Sequence, residues 1–349
     1  MNDTMPALVN YAAAPRSVEL REVPVPSIGD DDVLLRVAAV SVCGSDLHQW
    51  LGGASWRVNY PCVLGHEFAG VVERVGSRVV DVLVGTRVVS ETAAVLDASS
   101  PFVREGRYHL DPTRLGFGYG VDGAMATFVR VPARCLHTLP AHLDFDTAAL
   151  SEPCCVAYTA VCLRSTLRLG DHVVVLGPGP IGLLCGLIAR LAGAGSVVVA
   201  GLPTDATRLE AARRLGLEPI VTHDLAARVR ETGDGYGVDV VIDASGVSAT
   251  LRTAMEVVRP GGQITKVGWG PQPMGFSLDP VVQKAVTING TFSHHWAVWE
   301  RVIGLMASGR LDVSELVSAR LPLGEWEDAF GGMHDGRFVK SVLHPPGGQ

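Results

Sequence analysis

Two short runs near the start of the chain hold an unusual concentration of metal-binding side chains. CGSDLH (43–48) supplies Cys43, Ser45, Asp46 and His48, and GHEF (65–68) supplies His66 and Glu67. A further acid, Glu152, stands in LSEPCC. Thiolate, imidazole and carboxylate together form a donor set suited to zinc, and a catalytic zinc needs only three protein ligands and one open position. Taken singly, each residue has a plainer reading: Cys43 as a small core residue, His66 as a satisfied loop histidine, Glu67 and Glu152 as surface acids. Their joint presence ahead of a nucleotide-binding pattern turns the balance toward a metal centre.

That pattern is VVVLGPGPIGLLCGLIARLAG, which contains Gly177-x-Gly179-x-x-Gly182. A lone GxGxxG means little, but this one leaves an apolar strand and enters an apolar helix. Gly177 permits a tight turn, Gly179 lets a pyrophosphate approach the backbone, and Gly182 lets the helix pack against the strand. Pro180 and Ile181 complete the loop at the helix start, where free N–H groups favour phosphate. An acid at the end of the next strand would bind the ribose 2′-hydroxyl of NAD. Here that place is held by Gly201, in VVVAGLPTDATRLEAARRLG. No charge there repels a 2′-phosphate, and Thr204 and Arg208 are near in sequence, so NADP is favoured over NAD. Asp205 could loop back as a substitute acid, and Arg208 could be only a solvated helix residue.

A third stretch, LDASSPFVREGRYHLDP (96–112), has the spacing of a metal site without its ligands. Asp97, Ser100, Val103 and Asp111 are separated by two, two and seven residues. Four cysteines so spaced would hold a structural zinc. Valine cannot bind metal, and two carboxylates with one hydroxyl make a poor zinc site.

The chain that must position these residues has 349 of them, enough for about two domains. Hydrophobic residues make up 47% and charged residues 19%, which allows a large core and argues against disorder. A net charge of −7 argues against a general nucleic-acid binder, and no clustered basic helix points to a membrane surface. The most apolar stretch, 173–201, is interrupted by Gly-Pro-Gly-Pro and Arg190, so no membrane span is expected. MNDTMPALVNYAAAPRSVEL shows no charged segment followed by an apolar run, so no signal peptide is expected. Seven cysteines, odd in number and irregular in spacing, imply a reducing, cytoplasmic setting without a disulfide framework.

Residues 1–153 alternate short β-rich runs, such as DVLLRVAAVSV, EFAGVVERVG, TRVVSE and ATFVRVP, with Gly, Pro and Asp punctuation. This predicts a β-rich, partly barrel-like domain. From 154 to 292, apolar strands (172–177, 196–201, 219–223, 238–246, 262–269 and 287–292) alternate with amphipathic helices. That is the signature of an α/β domain with a buried parallel sheet of about six strands. The remainder, 293–349, holds one amphipathic helix, HWAVWERVIGLMASG, and is expected to return to the first domain.

CGSDLH, GHEFAGVVERVG, GYGVDGA, SEP, GPGPIG and LPLGEWEDAF, in this order, resemble the zinc-dependent medium-chain dehydrogenases over nearly the whole chain. The likeness is greatest to the polyol (sorbitol-type) and threonine branches. It implies a GroES-like catalytic domain joined to a Rossmann domain, with the active site between them. It also implies that Cys43 and His66 are zinc ligands and that Glu67 is a ligand or an exchangeable near-ligand. Glu152 stands where other branches use cysteine and would bind directly or through water. Asp46 would hydrogen-bond the far nitrogen of His66 and set its tautomer. Ser45 would touch the substrate hydroxyl, and His48 would pass its proton to solvent through the cofactor ribose. Such a zinc lowers the pKa of an alcohol, and the nicotinamide takes the hydride. The family's structural-zinc lobe has cysteines at the positions of Asp97, Ser100, Val103 and Asp111, so one catalytic zinc per chain and no structural zinc are expected.

The implied reaction converts a secondary alcohol (a polyol, sugar, cyclitol or amino alcohol) to its ketone with NAD(P). Trp50, Trp56, Phe117 and Trp296 could line the cleft or lie in the core, and Ala93 hints at room for a branched or cyclic alcohol. The partners expected are a small-molecule substrate and further copies of the chain, as a dimer or tetramer, with no nucleic acid and no membrane. Two alternatives remain: a zinc-free NADPH-dependent alkene or quinone reductase, and a non-catalytic cofactor-binding protein. The first has no use for Cys43, His66 and Glu152 together, and the second has none for Ser45 and His48.

Overall fold

The computed structural model describes residues 3–348, which divide into two units. The first takes in the chain through Glu152, together with His295–Ser308 and everything from Val317 onward. Its main sheet is built around the strand Asp32–Ser41. Leu34, Leu35, Val37, Ala39 and Val40 in that strand are all fully buried, so both of its faces meet apolar neighbours. Val33, Val37 and Val40 are β-branched, a side-chain type that suits a strand. Along one edge it pairs antiparallel with Glu67–Val75. Two strands share its other edge: Phe128–Pro132 covers Asp32–Arg36, and Lys340–His344 covers Val40 and Ser41. The strand Val317–Pro322 then extends the sheet parallel to Lys340–His344. Leu35, Phe68, Phe117, Trp50, Trp326 and Phe330 belong to the core that this sheet covers.

The register at the end of the central strand joins distant parts of the chain. Ser41 lies opposite Glu67 on one side and opposite Val342 on the other. Residues that are 273 positions apart, such as Glu67 and Lys340, are thereby brought to the two sides of one strand end.

The second unit runs from Pro153 to His294 and adds Gly309–Leu316. Its six strands are all parallel, in the spatial order Glu218–Val221, Ser196–Gly201, His172–Leu176, Val238–Asp243, Val258–Lys266, Thr287–Gly290. Val173–Leu176 and Val240–Asp243 are buried throughout, as expected of central strands covered on both faces. The order reverses between His172–Leu176 and Val238–Asp243, and open α/β sheets bind ligands at such a switch point.

Some limits differ from those read in the sequence. The run 238–246 ends as a strand at Asp243, because Asp243 Oδ1 accepts from the Ser245 backbone and hydroxyl and bends the chain. Within 293–349, Gly309–Leu316 belongs with the second unit, not the first. Leu311, Val313 and Leu316 are buried there, and Glu315 pairs with Arg214 at 3.4 Å.

Candidate active site

Cys43 stands just past the strand Asp32–Ser41, immediately before the short helix Gly44–Trp50. The Cys43 N–H donates to Asp46 Oδ2 at 2.8 Å, which fixes the first turn. Ser45 and His48, three apart, lie on one face of that turn. On the facing chain, Gly65 (φ +95°) makes a bend that a β-carbon would block, since it would meet Met125 at 2.8 Å. The bend delivers His66 and Glu67 to the start of the neighbouring strand. As a result one ligand atom each from Cys43, His66 and Glu67 lies within 4.8 Å of the others. Among the described residues no other group of three such side chains comes together in this way.

The titratable groups of the cluster act strongly on one another. Burial raises the Cys43 thiol pKa, and the Glu67 charge raises it further. Burial likewise raises the Asp46 carboxyl. Burial alone would lower the proton affinity of His66, but Cys43, Asp46 and Glu152 together hold it well above the ordinary histidine value. Two donor atoms, His66 Nδ1 and Glu67 Oε1, are buried without a hydrogen-bond partner, an arrangement that is costly in an apolar interior. Sulfur, nitrogen and oxygen donors brought this close together fit zinc. Glu152, mostly buried at the start of the helix Ser151–Tyr158, acts on His66 by its charge but stays outside the 4.8 Å cluster.

Asp46 departs from the expected contact. Its Oδ1 is 3.9 Å from His66 Nδ1, the distance of a charge pair and not of a hydrogen bond, because the other oxygen is drawn to the Cys43 backbone. Ser45 is placed beside the cluster, with its hydroxyl 3.4 Å from His66 Nε2. His48 is exposed and meets Trp56 edge-on at 6.2 Å. Trp50 and Phe117 are core residues: Trp50 packs edge-on against Phe330, and Phe117 against Phe68. Ala93 is buried, and Trp296 is 44% exposed over the His137 ring.

Two residues of this neighbourhood escaped the reading of the sequence. Lys340 is 2% exposed, pairs with Glu67 Oε2 at 2.5 Å and donates to the Val42 carbonyl at 2.7 Å. Burial opposes its charge, but Glu67 and Cys43 more than offset this and raise its pKa. Ser41 donates its hydroxyl to the same Glu67 oxygen. The available signal was a lysine inside the apolar run FVKSVL, since a lysine on a buried strand is almost always paired.

The lobe at 96–112 puts its polar residues to other uses. Asp97 Oδ1 accepts from the Ser99 backbone and hydroxyl, and Asp111 Oδ1 accepts from those of Thr113, which holds both carboxyls below their ordinary pKa. Ser100 precedes the helical turn Pro101–Arg104, which contains Val103. The lobe is tied down by Tyr108, whose hydroxyl donates to Glu91 Oε2 and accepts from the Trp296 N–H, both at 2.6 Å. Glu91 in turn faces the buried His137, which also meets Glu300.

In the second unit the glycine loop has the geometry its sequence requires. Gly177 has φ +97°, and a β-carbon on Gly182 would lie 1.9 Å from the Gly177 carbonyl oxygen. Gly179, the residue before the helix Pro180–Leu191, has open space around it, so a phosphate can approach its backbone. Ile181 follows Pro180 in the first turn. At the end of the next strand, a β-carbon on Gly201 would meet Pro178 Cγ at 2.7 Å. Asp205 folds back to accept from the Leu202 N–H at 2.9 Å and lies 3.6 Å from the Arg208 guanidinium.

Two family models match: the alcohol dehydrogenase GroES-like domain over residues 29–141 and the zinc-binding dehydrogenase domain over 180–308. The chain is 36% identical to D-arabitol-phosphate dehydrogenase of Enterococcus avium, over 98% of each chain. It is 34% identical to sorbitol dehydrogenase of Halalkalibacterium halodurans, over 98% of this chain and 99% of that one. The chain belongs to the zinc-type medium-chain dehydrogenases. Among solved members of the family, a zinc-binding dehydrogenase from Sinorhizobium meliloti bound to NADP superposes with a TM-score of 0.88. It is 28% identical and covers 99% of this chain and all of its own. Like other zinc-type medium-chain dehydrogenases, this one is an NAD(P)-dependent oxidoreductase acting on alcohols, with a GroES-like unit and a Rossmann-type parallel sheet. No helix among the described residues is long and apolar enough to cross a membrane.

Proposed function

We propose that the chain oxidises a secondary alcohol of the polyol class to the ketone, using one zinc per chain and NADP in preference to NAD. The observation that carries this reading is the Cys43–His66–Glu67 cluster with the Ser45 hydroxyl beside it. Cys43 and His66 would hold the metal, with Glu67 and, directly or through water, Glu152 completing the set. When bound, zinc supplies the positive charge that lowers an alcohol's pKa, and NADP supplies the hydride acceptor. Ser45 receives the substrate hydroxyl. His48, exposed at the end of the same short helix, can hand a proton to water, as suits an imidazole near neutral pH. The polyol class is supported by the relatives, which act on arabitol phosphate and sorbitol.

NADP is supported by the strand end. Gly201 carries no charge, and the Asp205 carboxylate is already engaged by Leu202 and Arg208, so it offers little repulsion to a 2′-phosphate. We further read the protein as a cytoplasmic homo-oligomer that takes a small-molecule substrate and no nucleic acid. Seven cysteines with no disulfide among them suit a reducing compartment. The strand Thr287–Gly290, at the edge of its sheet, suits pairing with a second copy.

Elemental analysis together with a screen of secondary alcohols against both cofactors tests the proposal. One zinc per chain and turnover of a polyol with NADP are expected. Two zincs, none after purification without chelator, or turnover of alkenes alone would overturn it.

A further inference from the structure

Lys340 and Ser41 converge on one oxygen of Glu67 and leave the other without a partner. A buried lysine is rare, and this one is held from two directions, by the Val42 carbonyl at 2.7 Å and by the carboxylate at 2.5 Å. The strand register makes the arrangement rigid, because Lys340–His344 and Glu67–Val75 flank the same end of Asp32–Ser41. The engaged oxygen is Oε2, and Oε1 is the one with free lone pairs.

We propose that Lys340 is a positioning residue of the metal centre. By holding Oε2 with Ser41 it restricts Glu67 to donation through one oxygen, and by its charge it offsets the carboxylate, so a bound metal would keep an open position and more of its positive charge. The charge count shows why this matters. A Cys43 thiolate with the Glu67 and Glu152 carboxylates would outweigh a divalent cation by one charge, and the Lys340 ammonium would bring that sum back to zero, so less negative charge would oppose an alcohol's developing negative charge. Lys340 and Glu67 are both buried, so their charges act in a low-dielectric surrounding, where such a balance has most effect. This role for Lys340 rests on the zinc reading of the Cys43–His66–Glu67 cluster and gives a residue far along the chain a part in tuning it.

Cobalt(II) replacing zinc tests it, because its visible absorption weakens as the number of donors rises above four. In Lys340→Met, Glu67 is freed to bind through both oxygens. The absorption should fall, zinc should be held more tightly in chelator competition because a neighbouring cation is gone, and alcohol turnover should fall about 10- to 100-fold. Lys340→Arg, which keeps the charge, should restore the wild-type spectrum. If Lys340→Met does not fold, the comparison moves to Glu67→Gln with and without Lys340→Met. These two should share one spectrum, since Lys340 sets the donor count only through Glu67, while loss of the ammonium should still tighten zinc in the double variant. A folded Lys340→Met chain with unchanged spectrum and zinc affinity would overturn the proposal, as would a double variant whose spectrum differs from that of Glu67→Gln. Wild-type protein that takes up neither zinc nor cobalt would instead overturn the metal centre itself.

Discussion

Cofactor choice can be tested at Gly201, Arg208 and Asp205, around the end of the strand Ser196–Gly201. The obvious change, Gly201→Asp, is not a clean perturbation. Its β-carbon would sit 2.7 Å from Pro178 Cγ and 3.1 Å from Leu209 Cδ2, against an ordinary contact of 3.4–4 Å. The glycine loop would have to move, and both cofactors would weaken together. Pro178→Ala removes the offending ring atoms, so the acid belongs in that background. Arg208→Ala is cleaner still. A hydrogen bond between charged groups contributes about 1.5–3 kcal/mol. The Arg208 and Asp205 side chains are 22% and 21% exposed, so partial screening favours the lower end. Arg208→Ala should therefore weaken NADP about tenfold and leave NAD within about twofold. Asp205→Asn decides between the two readings of this loop. If Asp205 only restrains Arg208, the variant should bind NADP more tightly and NAD no worse. Dissociation constants for both cofactors, measured at one ionic strength, give the ratio directly. A wild type that prefers NAD, with Asp205→Asn weakening NAD about tenfold and sparing NADP, would refute the reasoning and make Asp205 the ribose acid.

Gly182→Ala should abolish binding of either cofactor while leaving zinc content intact, because its β-carbon would lie 1.9 Å from the Gly177 oxygen; titration fluorimetry and metal analysis on the same sample check this. Tyr108→Phe should destabilise the protein by about 1–3 kcal/mol, since Glu91 and the Trp296 N–H each lose a partner, and should leave alcohol turnover near wild type; a thermal scan with an activity assay would show it. Burial raises the Asp146 pKa, but His344 and Arg320, each at 2.7 Å, more than reverse this and hold it below the ordinary range. Its contribution is therefore present above the unfolded carboxylate pKa of about 3.9 and is lost as pH falls through the lower folded value. Asp146→Asn should cost about 1 kcal/mol at pH 7, with the gap to wild type closing in acid; unfolding of zinc-free protein across pH 3–7 measures this, and a gap that persists at the acid end counts against the pairing.

The local patterns carried a good deal. A parallel six-stranded sheet follows from apolar runs of strand length alternating with helical ones, because buried strands must be apolar on both faces. Gly177 and Gly182 were legible because only glycine survives a positive φ or a 1.9 Å approach, so the residue type itself reports the geometry. Cys43, His66 and Glu67 were legible as chemistry, since thiol, imidazole and acid seldom occur together without cause. Tertiary structure alone decided which atoms face each other. Asp46 stops at 3.9 Å from His66 because its other oxygen caps Cys43, and no spacing in the chain encodes that competition. Trp50 and Phe117 went to the core, not the site, because packing against Phe330 and Phe68 depends on distant elements. Lys340 reaches Glu67 only through strand pairing across 273 residues, a contact set by sheet register, and a buried charge of that kind finds its partner only when the whole sheet has formed.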